Sequence, residues 1–228
     1  MRAPIVGAER TAEELGKAFP QTPVRQMTGG MAPLTVPDSS AIVVATPGAE
    51  PYPDAGYAGA VLLDTQLLLL RPDLRAAEEA LRRWLNVVAL VQGGAEGGSV
   101  IAVGESSARA LQALVRVDPA GFAARELAER AEARFPPAVR MVTVDGSANA
   151  LNEFLELVQL SPSVEVMGPV DLPPQPAHDT TTLGRLTLRA PRSEGAALAM
   201  SVKEVAAIRS ARKSEGPLRI RVDPVTLE

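Results

Sequence analysis

Six basic residues and only two acidic ones lie between Lys203 and Arg221, in a chain of net charge −4. Arg209, Arg212 and Lys213 close a helical stretch, where cations also complement the helix dipole. Arg219 and Arg221 follow in "PLRIRVDP", alternating with Leu218, Ile220 and Val222. In a strand, that alternation puts the two arginines on one face and the three apolar residues on the other. Cations grouped this way suit phosphate: they make charge-assisted hydrogen bonds that weaken with salt and depend little on base sequence. Arg209, Arg212, Lys213, Arg219 and Arg221 are therefore the candidate DNA-binding residues, provided their face is open to solvent. The competing reading is an ordinary solvated helix end and sheet face. The chain as a whole lacks the basic excess usual in nucleic-acid-binding domains, so any such contact is local.

A second stretch invites phosphate chemistry and then withholds it. "ALVQGGAEGG", residues 89–98, is a glycine-rich turn, yet no Lys or Arg occurs from Trp84 to Ala108. Glycine turns hold phosphate when they open a helix, whose amino terminus supplies N–H groups and a favourable dipole. Here the turn follows a helical stretch and precedes the strand-like "SVIAV", so it reads as a helix cap and turn. No G-x-x-x-x-G-K-[ST] pattern occurs. Asp64 ends the apolar run "AVLLD" and could hold a metal or act as a base, but one carboxylate is more simply a cap or a solvated turn. The single histidine, His178, lies in "PPQPAHDTTT". General-base work would require a positioning partner and a pocket, and a solvated loop residue fits that context better. The absence of cysteine excludes a disulfide framework and thiolate metal sites. No apolar run is long enough to cross a bilayer, and the amino terminus lacks a signal-peptide pattern. A cytoplasmic protein without membrane partners is expected.

The elements that must position these residues change character along the chain. In the first half, β-branched runs alternate with amphipathic helices. Strands are expected at "PIVG" (4–7), "TPVRQM", "AIVVATPG" (41–48), "AGAVLLD" (58–64) and "SVIAVG" (99–104). Thr11 and Glu14 have the spacing of a capping box for a first helix. A long helix from about Asp73 is expected to bury Leu74, Ala77, Leu81, Trp84 and Val88. Such alternation predicts an α/β arrangement, a mostly parallel sheet covered on both faces. In the second half, a helix with Asp118 as N-cap leads to the strand "VRMVTVD" and the helix "SANALNEFLELV". A strand and a Pro-rich loop follow, then "RLTLRAP", a helix and the closing strand. This predicts a small α+β domain of ferredoxin-like type. The boundary falls near Asp118, giving domains of 1–117 and 118–228.

Several of these stretches together resemble a known family. "VGAERTAEELGKAFPQTPV", "VVATPGAEP…YAGAVLLDT…RPDLRAAEEALRRW", "GFAARELAERAEARFPPAV", "VEVMGPVDLPP" and the ending "LRIRVDP" are similar to the carboxy-terminal portion of the PriA-type replication restart proteins, also called primosomal protein N′. The similarity is to the shortened, helicase-deficient form of high-GC Gram-positive bacteria. The resemblance implies a second RecA-like helicase lobe over residues 1–117 and the family's carboxy-terminal domain beyond. It also implies that the first lobe, the fork-binding domain and the zinc-binding cysteines would lie upstream of residue 1. In active members, "NVVALVQG" is matched by Q-x-x-G-R-x-G-R, whose arginines reach the γ-phosphate; those positions fall here on Leu90 and Gly93. "ATPGAEP" stands where active members carry a Gly-Thr-Gln segment and a downstream Lys, and only Thr46 persists. Loss of an arginine finger costs roughly 10³–10⁵ in rate.

The function expected is a DNA-binding module for replication restart and primosome assembly at stalled or branched forks, lacking an ATPase and any cofactor of its own. The family's ATP, Mg and zinc have no ligands in this chain. The implied partners are forked DNA, a single-stranded DNA-binding protein and other primosome proteins. Two alternatives stand beside it. One is part of an ATP-dependent 3′→5′ DNA helicase, active only with its missing lobe. The other is a structural fragment without DNA affinity.

Overall fold

A computed structural model describes residues 4–29, 35–36, 39–173 and 182–226. His178 and most of the Pro-rich loop, expected to be the first site of proteolysis, lie outside the described residues. The chain divides into two units, one comprising Met1–Arg71 and Arg75–Pro119, the other Pro72–Leu74 and Ala120–Glu228. The division thus falls two residues beyond the expected seam at 117/118, and a three-residue stretch from the first half joins the second unit. Leu74 explains that exchange: its N–H donates to the Val225 carbonyl at 3.1 Å, and Arg130 donates to its carbonyl at 2.6 Å.

The first unit opens with helix α1, Pro4–Ala18. A strand was expected at 4–7, and the structure corrects this. Proline suits a first helical turn, because its missing N–H would have no intrahelical partner there. Nothing after it breaks the helix, so the β-branched pair Ile5–Val6 is carried along. Thr11 is therefore not an N-cap; it sits within the helix and donates its hydroxyl to the Gly7 carbonyl at 2.8 Å.

Strands β1 (Val24–Met27), β2 (Thr35–Val36), β3 (Ile42–Ala45), β4 (Tyr52–Pro53), β5 (Gly59–Leu62) and β6 (Ser99–Ala102) pair in parallel, as the α/β alternation implies. Among the described residues they form separate pairs and not one continuous sheet. The described pairs are β1 with β3, β2 with β4, and β5 with β6, each a two-stranded sheet. Strands of two to four residues provide few ladder bonds for a neighbour. One face of the β5–β6 pair is also uncovered: Val61 is 57 % and Ile101 59 % exposed, although they are register partners. Between these strands lie α2 (Thr65–Leu69) and α3 (Ala76–Ala89), and α4 (Arg109–Arg116) follows β6. Helix α3 starts three residues later than expected and buries Ala76, Ala80, Leu81 and Trp84. Of the expected apolar face only Leu81 and Trp84 are fully covered.

The second unit runs α5 (Pro119–Glu132), β7 (Val139–Gly146), α6 (Ala148–Leu157), β8 (Glu165–Asp171), β9 (Gly184–Pro191), α7 (Gly195–Arg212) and β10 (Leu218–Val222). From β7 onward the order is β-α-β-β-α-β, and the sheet order is β10-β7-β9-β8 with every neighbouring pair antiparallel. That is the ferredoxin-like, split β-α-β arrangement. Ser147 caps α6, its hydroxyl oxygen accepting from the Ala150 N–H. Helices α6 and α7 cover one sheet face. Val142, Val144, Leu186 and Leu188 meet Leu151 and Phe154 of α6 and Leu198, Val202 and Val205 of α7 in one buried cluster. Because strand side chains alternate, the polar residues between these apolar positions all go to the opposite face.

Candidate nucleic-acid interface

In β10, Leu218 and Ile220 pack against the apolar cluster, and Arg219 and Arg221 take the opposite face. Val222, expected with the two apolar residues, is exposed at the strand end. Cross-strand register then assembles a site that only part of the sequence reading reached. Arg219 stands opposite Asp145 of β7, and Asp145 opposite Arg185 of β9. Arg221 stands opposite Thr143, and Glu165 of β8 opposite Arg189 of β9.

Two carboxylates organise the arginines. Asp145, 6 % exposed, accepts a forked pair from Arg185 at 2.6 and 2.9 Å and a third bond from Arg221 at 2.6 Å. Burial opposes ionisation of Asp145, but the hydrogen bonds from Arg185 and Arg221 outweigh it and hold the carboxyl below its usual range. Glu165 accepts from Arg189 at 3.0 and 2.6 Å and from Arg134, which follows α5. The Arg189 hydrogen bonds, with those of Arg134, lower its carboxyl as well. Five guanidinium groups thus face two carboxylates among the described residues of this surface. Arg185 is 8 % exposed and structural in burial, Arg189 and Arg221 are half-buried, and Arg219 is exposed with no carboxylate partner among the described residues.

The five residues expected from sequence therefore separate. Arg219 and Arg221 lie together on this face. Arg212 and Lys213 are exposed at the end of α7, where Lys213 is the left-handed cap. Arg209 is a buried clamp: it pairs with Glu153 and donates to the carbonyls of Glu215 and Gly216 at 2.9 and 3.0 Å. Arg134, Arg185 and Arg189 were missed. The period-two spacing of Arg185 and Arg189 in "RLTLRAP" was a visible signal for two of them, because it puts both on the face away from Leu186 and Leu188.

The other candidate region is a cleft of about 930 Å³ in the first unit, lined in part by Gly48, Glu50, Tyr52, Arg82, Arg83 and Leu90. Its two arginines both bind Glu79 at 2.7 Å, and those hydrogen bonds, Arg82 first and Arg83 second, pull the Glu79 carboxyl down to about 2. The Gly48 N–H, at the turn after β3, donates to the Glu50 carboxylate at 2.9 and 3.0 Å. The chain's own carboxylates thus occupy donors that a phosphate would use. Asp64 occupies the N-cap position of α2 in a left-handed conformation and makes no side-chain cap bond. Among the described residues no group of three or more His, Cys, Asp or Glu could hold a metal ion.

The glycine turn closes locally. Leu90 caps α3, and a short 3₁₀ turn, Gly94–Glu96, ends at Gly97 with φ +89°. A Cβ on Gly98 would lie 1.9 Å from the Gln92 carbonyl oxygen, whereas one on Gly94 would meet nothing within 4 Å. These glycines admit a tight backbone crossing into β6. Gly98→Ala is expected to destabilise the first unit by about 1–3 kcal/mol through overpacking, and Gly94→Ala to change it by less than about 0.5 kcal/mol. Trp84 is the sole tryptophan and is buried in this unit, so urea unfolding followed by its fluorescence measures both variants. Equal midpoints for the two would refute the close crossing.

Comparison with known proteins follows the same division. Residues 131–225 match the family described as the primosomal protein N C-terminal domain. The chain is 44 % identical over 230 residues to the probable replication restart protein PriA of Mycobacterium leprae, covering 99 % of the chain and 35 % of that relative. It is 43 % identical over 238 residues to the protein of the same description in Mycobacterium tuberculosis, covering 99 % of the chain and 36 % of the relative. The chain therefore spans about a third of the length of the curated relatives it matches.

Proposed function

Since this chain is a relative of the PriA-type replication restart proteins along nearly its whole length, we propose that it is a DNA-binding module for primosome assembly at stalled or branched forks, with no ATPase of its own. The observation that carries the DNA part is the arginine-bearing sheet face, where guanidinium groups outnumber carboxylates and Arg219 is open to solvent. In this reading residues 1–117 are a degenerate second RecA-like helicase lobe. Parallel strand pairs set between helices support that assignment. Its partners are branched DNA, a single-stranded DNA-binding protein and other primosome proteins, and it works in the cytoplasm without a cofactor of its own. No helix among the described residues is long and apolar enough to cross a membrane.

The helicase alternative places arginine chemistry where this chain has Leu90 and Gly93. The donors nearest the cleft, on Arg82, Arg83 and Gly48, are engaged by Glu79 and Glu50. Stabilising a phosphoryl-transfer transition state needs positive charge directed at it, and this arrangement supplies little. Fork binding by the 228-residue chain tests the proposal. Fluorescence anisotropy with a labelled fork at low salt should show binding. Three guanidinium groups in excess on the face predict a log–log salt slope of about −3. ATP hydrolysis should stay at background with and without forked DNA. Absence of fork binding would favour the structural-fragment reading, and DNA-stimulated turnover would favour the helicase.

A further inference from the structure

We infer that the exposed face of the β5–β6 pair is a docking surface for an amphipathic helix of a partner protein, one whose apolar stripe is flanked by lysine or arginine. The surface lies in the first unit and does not depend on the DNA-binding reading. Four large apolar side chains share this face. Val61 and Ile101 are register partners, and Leu63 and Val103 follow two residues further along. Val61, Ile101, Leu63 and Val103 are 57, 59, 54 and 49 % exposed. Between them Leu62 is buried and Ala102 half-buried, as the alternation of a strand requires. The ladder continues past the strand ends, the Val103 N–H donating to the Leu62 carbonyl at 2.9 Å. Parallel strands are ordinarily covered on both faces by helices, and an exposed apolar group rimmed by polar residues marks a contact surface. A four-residue strand extends about 13 Å, the length of roughly nine helical residues, so a short helix spans the face.

Charge selects the partner. Strand β5 and its flanking turns come from residues 27–70, β6 and its flanking turns from residues 84–108, and neither stretch contains Lys or Arg. Asp64 and Glu105, both exposed, stand just beyond the ends of β5 and β6, and the first cations after them are Arg71 and Arg109. The Ser107 hydroxyl and N–H donate to Glu105 and favour its ionised form. A second copy of this face would bring like charges together, and phosphates would be repelled. A helix carrying cations beside its apolar stripe meets opposite charges instead.

The test uses the 228-residue chain and two labelled model helices of about four turns. Both carry the same leucine–alanine stripe, flanked by lysine in one and by glutamate in the other. Anisotropy at low salt should show binding of the lysine helix, with the glutamate helix about tenfold weaker. Val61→Thr combined with Ile101→Thr keeps β-branched residues in both strands and should weaken the lysine helix by about tenfold through lost apolar contact. Asp64→Asn combined with Glu105→Gln should weaken it by about threefold and flatten its salt dependence. Asparagine tolerates the left-handed conformation of Asp64. Both variants replace exposed side chains, so the urea midpoint and any affinity for forked DNA should stay at the wild-type values. Equal binding of the two helices, or no binding of either, would overturn the inference, as would undiminished binding by the Val61→Thr, Ile101→Thr chain. A concentration-dependent dimer abolished by that same pair of substitutions would overturn it by assigning the face to a second copy. A urea midpoint lowered as at a buried site would overturn it by showing the face covered within the chain.

Discussion

Asp145→Ala should lower the stability of the second unit by about 3–5 kcal/mol, the usual cost of removing one partner from a buried ion pair. Asp145 is nearly inaccessible and takes three hydrogen bonds from Arg185 and Arg221. Without it, the Arg185 guanidinium remains buried with the carboxylate that accepts its forked bonds gone. Asp145→Asn keeps the shape but not the charge, and should fall between the two. The pair also makes a statement about acid. A carboxyl whose pKa is lowered on folding contributes stability that is fully present above its unfolded value, near 4, and is lost as the pH falls through the folded value. Asp145 is shifted in that direction. The wild-type second unit should therefore weaken below about pH 4, and Asp145→Asn should weaken less over the same window. Far-UV circular dichroism in urea follows the transition, with Trp84 fluorescence reporting the first unit separately. Equal stability of Asp145→Ala and wild type would mean the two arginines find other partners and the carboxylate is dispensable.

Arg209→Ala should cost about 2–4 kcal/mol in the same unit, and should leave DNA affinity per folded molecule nearly unchanged. This contrasts with the reading of Arg209 as a DNA contact. Arg209 is 7 % exposed and joins α7 to Glu153 of α6 and to the carbonyls of Glu215 and Gly216 before β10. Its loss leaves two carbonyls and a carboxylate without their donor. Ser214, which donates to the same Glu153 carboxylate at 2.6 Å, compensates only in part. Anisotropy at a temperature where the variant is folded separates the two roles. A tenfold loss of fork affinity with unchanged stability would restore Arg209 to the interface.

Arg209 shows where sequence reasoning stopped. Its position at a helix end next to two other cations is the same in a solvated end and in a clamp. What distinguishes the two is Glu153, 56 residues away and brought close only when α6 and α7 pack on the sheet. Asp145 and Glu165 lay beyond reach for the same reason: their arginines come from neighbouring strands and, for Arg134, from the loop after α5, and only the folded sheet brings them together. Local patterns fared better. Period-two alternation located β9 and β10, and the faces of Leu218 and Ile220 followed directly. The glycines at 97 and 98 showed a turn. The first half was harder. Short β-branched runs signalled strands but not their neighbours, so one covered sheet was expected where three small pairs are found among the described residues. At Pro4–Gly7, residue preference for strand lost to an uninterrupted helical continuation.

The carboxylate-anchored arginines also alter the entropy of recognition. A free arginine on a surface explores many rotamers, and holding it against a ligand costs about 0.5–1.5 kcal/mol. Arg185 and Arg189 have already lost that freedom on folding, each fixed by two bonds to a carboxylate of the adjacent strand. In the proposed DNA-binding role, their restriction falls on the folding of the domain and not on binding. Exposed Arg219 has no such anchor among the described residues. In that role, arginines fixed by the sheet would set the spacing of charge and the exposed Arg219 would supply an adjustable reach toward phosphate.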